Sequence, residues 1–120
     1  SKNVQVSKAA SLKMDREQTR AAAKSTLMEV VNNSALTDVE KQAAVEELAV
    51  MTELAQKEAA CELMLSSKGF DEAVVSIAAD GADVILNATE VTDAQRAQVE
   101  DIINRKAGIA ADHIVISTMN

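Results

Sequence analysis

Neither glycine nor proline interrupts residues 1–68. A stretch that long without a helix breaker, rich in Ala, Glu, Lys and Gln, is directed towards long helices. All three glycines come later, at positions 69, 81 and 108, and 13 of the 20 Val and Ile residues lie beyond residue 70. The chain therefore reads as helices first and strands after, an α+β order. Its 120 residues hold 34 Val, Ile, Leu, Met and Phe, enough for one thin core.

Local signals divide the chain further. A first helix is expected from Lys8 to about Asn32, with a weak stripe of Leu12, Thr19, Ala23, Leu27 and Val30. Asn32-Asn33-Ser34 breaks it, so residues 1–34 read as a helical segment ahead of a domain spanning 35–120. Thr37 with Glu40 is a capping box that starts a second helix running to about Lys68. Gly69 supplies the left-handed position, which sets Phe70 against Leu65 in a Schellman motif. This helix carries two apolar stripes. Ala44, Val45, Leu48, Met51, Ala55, Ala59 and Leu63 form one; Ala43, Val50, Leu54 and Cys61 form the other. The first helix and the sheet could take one stripe each, or the second stripe could meet another protein.

Two strand-like runs, Ala73–Ala79 and Ala82–Ala88, flank Asp80-Gly81, which reads as a type I′ hairpin turn. Thr92 and Gln95 box the start of a third helix, with Val99, Ile102 and Ile103 as its buried stripe and Gly108 as its stop. A last strand follows over His113–Ser117. With all helices on one face of a three-stranded sheet, Val75, Ile77, Val84, Leu86, Ile114 and Ile116 point inward. Val74, Ser76, Ile85, Asn87, His113, Val115 and Ser117 then face outward, and the short sheet leaves edges able to pair with a partner. Val50, Leu54, Val74, Ile85, His113 and Val115 are the candidate interface residues on this reading.

Little in the chain points to catalysis. One cysteine and one histidine exclude an internal disulfide and multi-Cys or two-His metal sites. His113 beside Asp112 is the sole acid–base candidate near neutral pH, with no nucleophile nearby in sequence. Cys61 sits among acidic neighbours, which disfavour a thiolate. The carboxylate pairs lack calcium-loop spacing, and there is no glycine-rich phosphate loop. No catalytic, metal or cofactor residues are therefore assigned. No run of apolar residues is long enough to span a bilayer, and Ser1–Ala10 shows no leader pattern.

Charge is graded along the chain: +3 over residues 1–32, −4 over 33–69 and −6 over 70–120. Arg16, Arg20 and Lys24 make a basic face on the first helix that could attract the acidic remainder, within one chain or between neighbours, or an anionic membrane surface. A net charge of −7 with Phe70 as the lone aromatic disfavours nucleic-acid binding. A KH-like nucleic-acid module remains an alternative by element order, against which stands the missing Gly-x-x-Gly loop.

From Asp15 to Asn104 the chain resembles the stage III sporulation protein AH (SpoIIIAH) family. The shared features are a charged helix with Arg16-Glu17 and Lys24, and a long acidic helix built on Glu46-Glu47, Met51 and Glu58. The junction Lys68-Gly69-Phe70-Asp71-Glu72-Ala73-Val74-Val75 then leads into the hairpin. The resemblance implies a ring-building-motif fold, α-β-β-α-β in two layers, like that of type III secretion basal-body rings; a subunit of such a basal body is a further alternative. It implies a membrane segment upstream of this part of the protein, with this domain in the space between mother cell and forespore. It also implies a SpoIIQ-type forespore membrane protein as partner, a channel joining the two cells, and a homo-oligomeric ring.

Overall fold

A computed structural model describes residues 7–119. Residues 1–6, which include Lys2 and most of the stretch read for a leader pattern, lie outside it. Three helices and three strands follow in the order expected: α1 (Lys8–Val31), α2 (Asp38–Ser67), β1 (Val74–Ala78), β2 (Gly81–Leu86), α3 (Asp93–Ala107) and β3 (Ile114–Thr118), with a short 3-10 turn at Ala111–His113.

The helix ends follow their capping chemistry. The Ser7 hydroxyl accepts from the Ala10 N–H at 3.0 Å to open α1. Thr37 and Glu40 form the reciprocal box at the start of α2, as Thr92 and Gln95 do for α3. At the end of α2, Gly69 has φ +94° and the Phe70 N–H donates to the Leu65 carbonyl at 2.9 Å, the Schellman bond. Gly108, at φ +73°, ends α3.

The sheet order is β1-β2-β3, antiparallel between β1 and β2 and parallel between β2 and β3, with α3 as the crossover. The hairpin differs from expectation in one respect. Ala78 pairs with Gly81, so the turn residues are Ala79 and Asp80, and none of these has the positive φ of a type I′ turn. Gly81 is needed for another reason: a Cβ there would fall on the backbone carbonyl of His113, where β3 begins beside β2.

One core joins the sheet to the helices. Val75, Ile77, Ala82, Val84, Leu86 and Ile114 line the inner face, against Cys61 and Leu65 of α2 and Val99, Ile102, Ile103 and Ala107 of α3. The residues of α2 that turn towards this core, Leu54, Cys61 and Leu65, come partly from the second stripe. Leu54 is thus half-buried against the core rather than presented to a partner. The other stripe, through Ala44, Leu48, Met51 and Ala55, runs along α1.

The outer face of the sheet is not fully open. The first turns of α1 reach it, so that Ala9 and Leu12 pack with Val74, Ile85 and Met119 in a second, small cluster. Val74 is only 3% exposed and Ile85 half-buried, which corrects their placement on an open surface. The reason is that α1 does not lie wholly on the α2 side but extends past the β1 edge. The N-terminal half of α2 projects beyond the sheet with α1 as its companion. The radius of gyration is accordingly 17.1 Å, against about 14 Å for a compact chain of this length.

Gly81→Ala should destabilise the fold by about 1–3 kcal/mol through this clash, measured as a lower urea midpoint with an unchanged slope.

Candidate partner interface and the ionic clamp under α1

A strand at a sheet edge exposes backbone N–H and C=O groups on every second residue, about 6.8 Å apart. Side chains four apart on a helix are separated by about 6 Å along its axis. Glu58 and Glu62 of α2 use this match. The Ile77 N–H donates to Glu58 Oε2 at 2.7 Å and the Val75 N–H to Glu62 Oε2 at 2.9 Å. Two carboxylates thus take the place of a neighbouring strand along β1.

Those carboxylates are inside the protein and need counter-charge. Glu58 is 1% exposed. Arg20 meets it with both terminal nitrogens: Nη2 donates to Oε2 at 2.7 Å, and Nη1 pairs with Oε1. That hydrogen bond, with the attraction of Glu58, Glu17 and Glu62, outweighs the burial that works the other way and raises the Arg20 pKa. Arg16 Nη1 donates to the Val75 carbonyl at 2.7 Å and reaches Glu62 at 3.4 Å and Glu58 at 3.6 Å. Lys13 lies 3.5 Å from Glu62, and Lys8 donates to the Met119 carbonyl at 2.9 Å. Val75 is therefore bonded on its edge side by Glu62 and Arg16 together. Among the described residues no buried side-chain polar atom lacks a partner.

Two members of the basic face, Arg16 and Arg20, are thus engaged within the chain. Lys24 alone of the three is exposed, on the rim of a groove of about 590 Å³ between α1 and α2, lined by Met28, Leu48, Met51 and Ala55. Of the six interface candidates, Val74 is buried, and Ile85 and Leu54 are half-buried. Val50, on the projecting part of α2, is 53% exposed. Val115 is 60% exposed and lies two residues from the exposed His113, both on the β3 side. Their surroundings are a shallow groove with Asp80, Asp83 and Asp112.

His113 stands 3.9 Å from Asp112 with both side chains exposed to water, so no enclosed acid–base pair forms there. Among the described residues no group of three or more His, Cys, Asp or Glu side chains is placed to hold a metal ion. Cys61 is fully buried; desolvation, reinforced by Glu62 and Glu58, pushes its thiol up to about 11.

The family model described as SpoIIIAH-like protein matches residues 1–116. The chain belongs to the SpoIIIAH-like family. The fold of this SpoIIIAH-like chain is also similar to a chain of a solved structure, "Structure of the SpoIIQ-SpoIIIAH pore forming complex", with a TM-score of 0.79 and 16% identity. The match covers 90% of this chain and 93% of that one, and at this identity it is a likeness of fold. No curated protein gives a significant match.

Sequence reasoning recognised the bases of this SpoIIIAH-like chain but not their acceptors. The signal was present: Arg16 and Arg20, like Glu58 and Glu62, are four apart, and Glu58 falls in line with Leu54, Cys61 and Leu65. A carboxylate on a core-facing stripe implies buried partners.

Glu58→Ala leaves Arg20 and the Ile77 N–H without their acceptor and should cost about 3–5 kcal/mol. Glu58→Gln, which keeps an acceptor oxygen, should cost less; chemical denaturation ranks the two. Cys61 should resist thiol reagents in the native protein at pH 8. With its pKa raised on folding, the unfolded chain releases this proton first. Stability should therefore fall as pH rises from about 9 to about 11, and Cys61→Ala should flatten that limb of the stability–pH curve.

Proposed function

We propose that this chain is a non-enzymatic structural subunit of a sporulation channel between mother cell and forespore. It binds a SpoIIQ-type forespore membrane protein through the β3 side of its sheet. The observation that carries this reading is the agreement of the family match with a fold likeness spanning nine-tenths of the chain to a component of a SpoIIQ–SpoIIIAH pore-forming complex. The geometry fits it. β1 is sealed by Glu58, Glu62 and Arg16, whereas β3 is the other edge of the sheet and carries the exposed Val115. A strand or loop of a partner is thus directed to β3.

Residues 35–120 form the ring-building-motif-like unit in this proposal, and residues 1–34 form a helical segment laid against it. The unit assembles with further copies into a ring, with Val50 and the projecting half of α2 turned towards a neighbour. The protein is anchored in the mother-cell membrane by a segment upstream of this part, and the domain lies in the space between the two cells. None of the described helices is long and apolar enough to cross a membrane.

The test is to mix this domain with the purified extracellular domain of a SpoIIQ homologue from the same organism and to follow mass by size exclusion with light scattering. A complex should form, and Val115→Asp should weaken it by about tenfold or more, near 1.4 kcal/mol, without altering the melting temperature. Absence of a complex at concentrations on the order of 10 μM would refute the partner; an unaffected Val115→Asp complex would refute the β3 placement.

A further inference from the structure

Helix α1 is long but shallowly held. Of its 24 residues only Ala9 is buried. It supplies no residue to the main core, which is built from α2, α3 and the sheet. Beside the small apolar cluster of Ala9 and Leu12 on Val74, Ile85 and Met119, its hold is polar: Lys13, Arg16 and Arg20 on Glu58 and Glu62, Arg16 on the Val75 carbonyl, and Lys8 on the Met119 carbonyl. A single helix with so little apolar burial is marginal once its partners are removed. The body beneath it keeps its core without it.

The surface under α1 has a definite chemistry. It presents two carboxylates one helical turn apart, Glu58 and Glu62, beside one outward carbonyl, that of Val75. That arrangement suits two guanidinium groups one turn apart, since a fork of N–H donors engages a carboxylate with two bonds and reaches a second acceptor at the same time. The tether to α2 is the short segment 32–37, in which residues 32–35 are exposed and the Asn33 side chain accepts from the Ala35 N–H at 2.9 Å.

We propose that α1 is a releasable strap, and that Glu58, Glu62 and the β1 edge form a receptor for a helix bearing two arginines one turn apart. The receptor is occupied here by the chain's own α1; on release it accepts the α1 of a second copy. Exchange of identical elements between copies reproduces every contact of the closed form, so the exchanged pair differs from two closed chains only at the tether. While α1 stays closed, the β1 edge is barred to strands of other chains, which directs edge pairing to β3.

The test uses the full chain with Arg16→Ala and Arg20→Ala, and a fluorescent synthetic peptide of residues 8–31 as the probe. Amide exchange in α1 of this variant should be faster by roughly tenfold or more, while β2 and α3 keep their protection. The variant should bind the peptide, whereas the unaltered chain, its receptor filled, should not. A peptide carrying the same two alanines should fail to bind. Arg16→Lys with Arg20→Lys, which keeps the charge but loses the fork, should fall between the variant and the unaltered chain in both readings. Three outcomes would overturn the proposal: loss of protection throughout the chain, which would show that α1 is no separable strap; an α1 that stays protected without its arginines; and a released body that ignores the peptide. In the unaltered chain, 1 M salt should speed exchange in α1 more than in α3; equal effects would contradict a polar hold.

Discussion

The two carboxylates that close the β1 edge determine much of the rest of the molecule. A three-stranded sheet has two edges, and one of these is completed not by backbone but by Glu58 and Glu62. Once Glu58 is drawn under the sheet edge, it needs an opposite charge within reach. Arg20 provides one, Arg16 adds a second and also bonds the Val75 carbonyl, and both come from α1. The position of α1 is therefore set by an electrostatic demand that starts in α2. With Arg16 and Arg20 fixed, the first turns of α1 are carried past the strand edge, and Ala9 and Leu12 come to rest on Val74 and Ile85.

This order of causes explains which parts of the fold were legible in the sequence. The local signals stood alone and were read correctly: Thr37 with Glu40, Thr92 with Gln95, Gly69 with Phe70 against Leu65, and Gly108. Each depends on neighbours within a few residues. The inward row Val75, Ile77, Val84, Leu86 and Ile114 was equally plain, because alternation along a strand depends only on the pleat. What could not be read this way were pairings over long separations. Arg16 finds Val75 at a distance of 59 residues in sequence and Glu62 at 46, and no local pattern states that a basic helix will lie across a strand edge. Val74 and Ile85 were placed outward correctly with respect to the pleat. They are covered because α1 crosses to their side. Gly81 shows a related limit: a glycine after an aspartate suggests a turn, but here it makes room for the chain at His113, which lies far away in sequence.

The same electrostatics alters the meaning of the charge gradient. A basic first segment and an acidic remainder suggest attraction between neighbouring molecules. In the folded chain four of the bases in α1 already face partners in the same molecule, and Lys24 is left exposed beside a groove. The positive charge of α1 serves first to hold the chain's own edge closed. What the molecule offers outward is therefore less basic than a reading of the first 32 residues suggests, and its β3 side is bordered by Asp80, Asp83 and Asp112.

An assembly built from such a unit is directional. Because β1 is closed by side chains, addition of a strand is barred on that side of the sheet, and the proposed partner is directed to β3. In the proposed complex a partner that adds along β3 finds a single acceptor per chain and cannot extend the sheet indefinitely. That property distinguishes a defined complex from open-ended edge-to-edge growth, the usual hazard of short exposed strands. It rests on α1 staying in place, and α1 is held by the Arg16 and Arg20 contacts together with the small cluster of Ala9 and Leu12 on Val74, Ile85 and Met119. Weakening of the two arginine contacts would act on the proposed assembly before it acted on the core, because the main core contains no residue of α1.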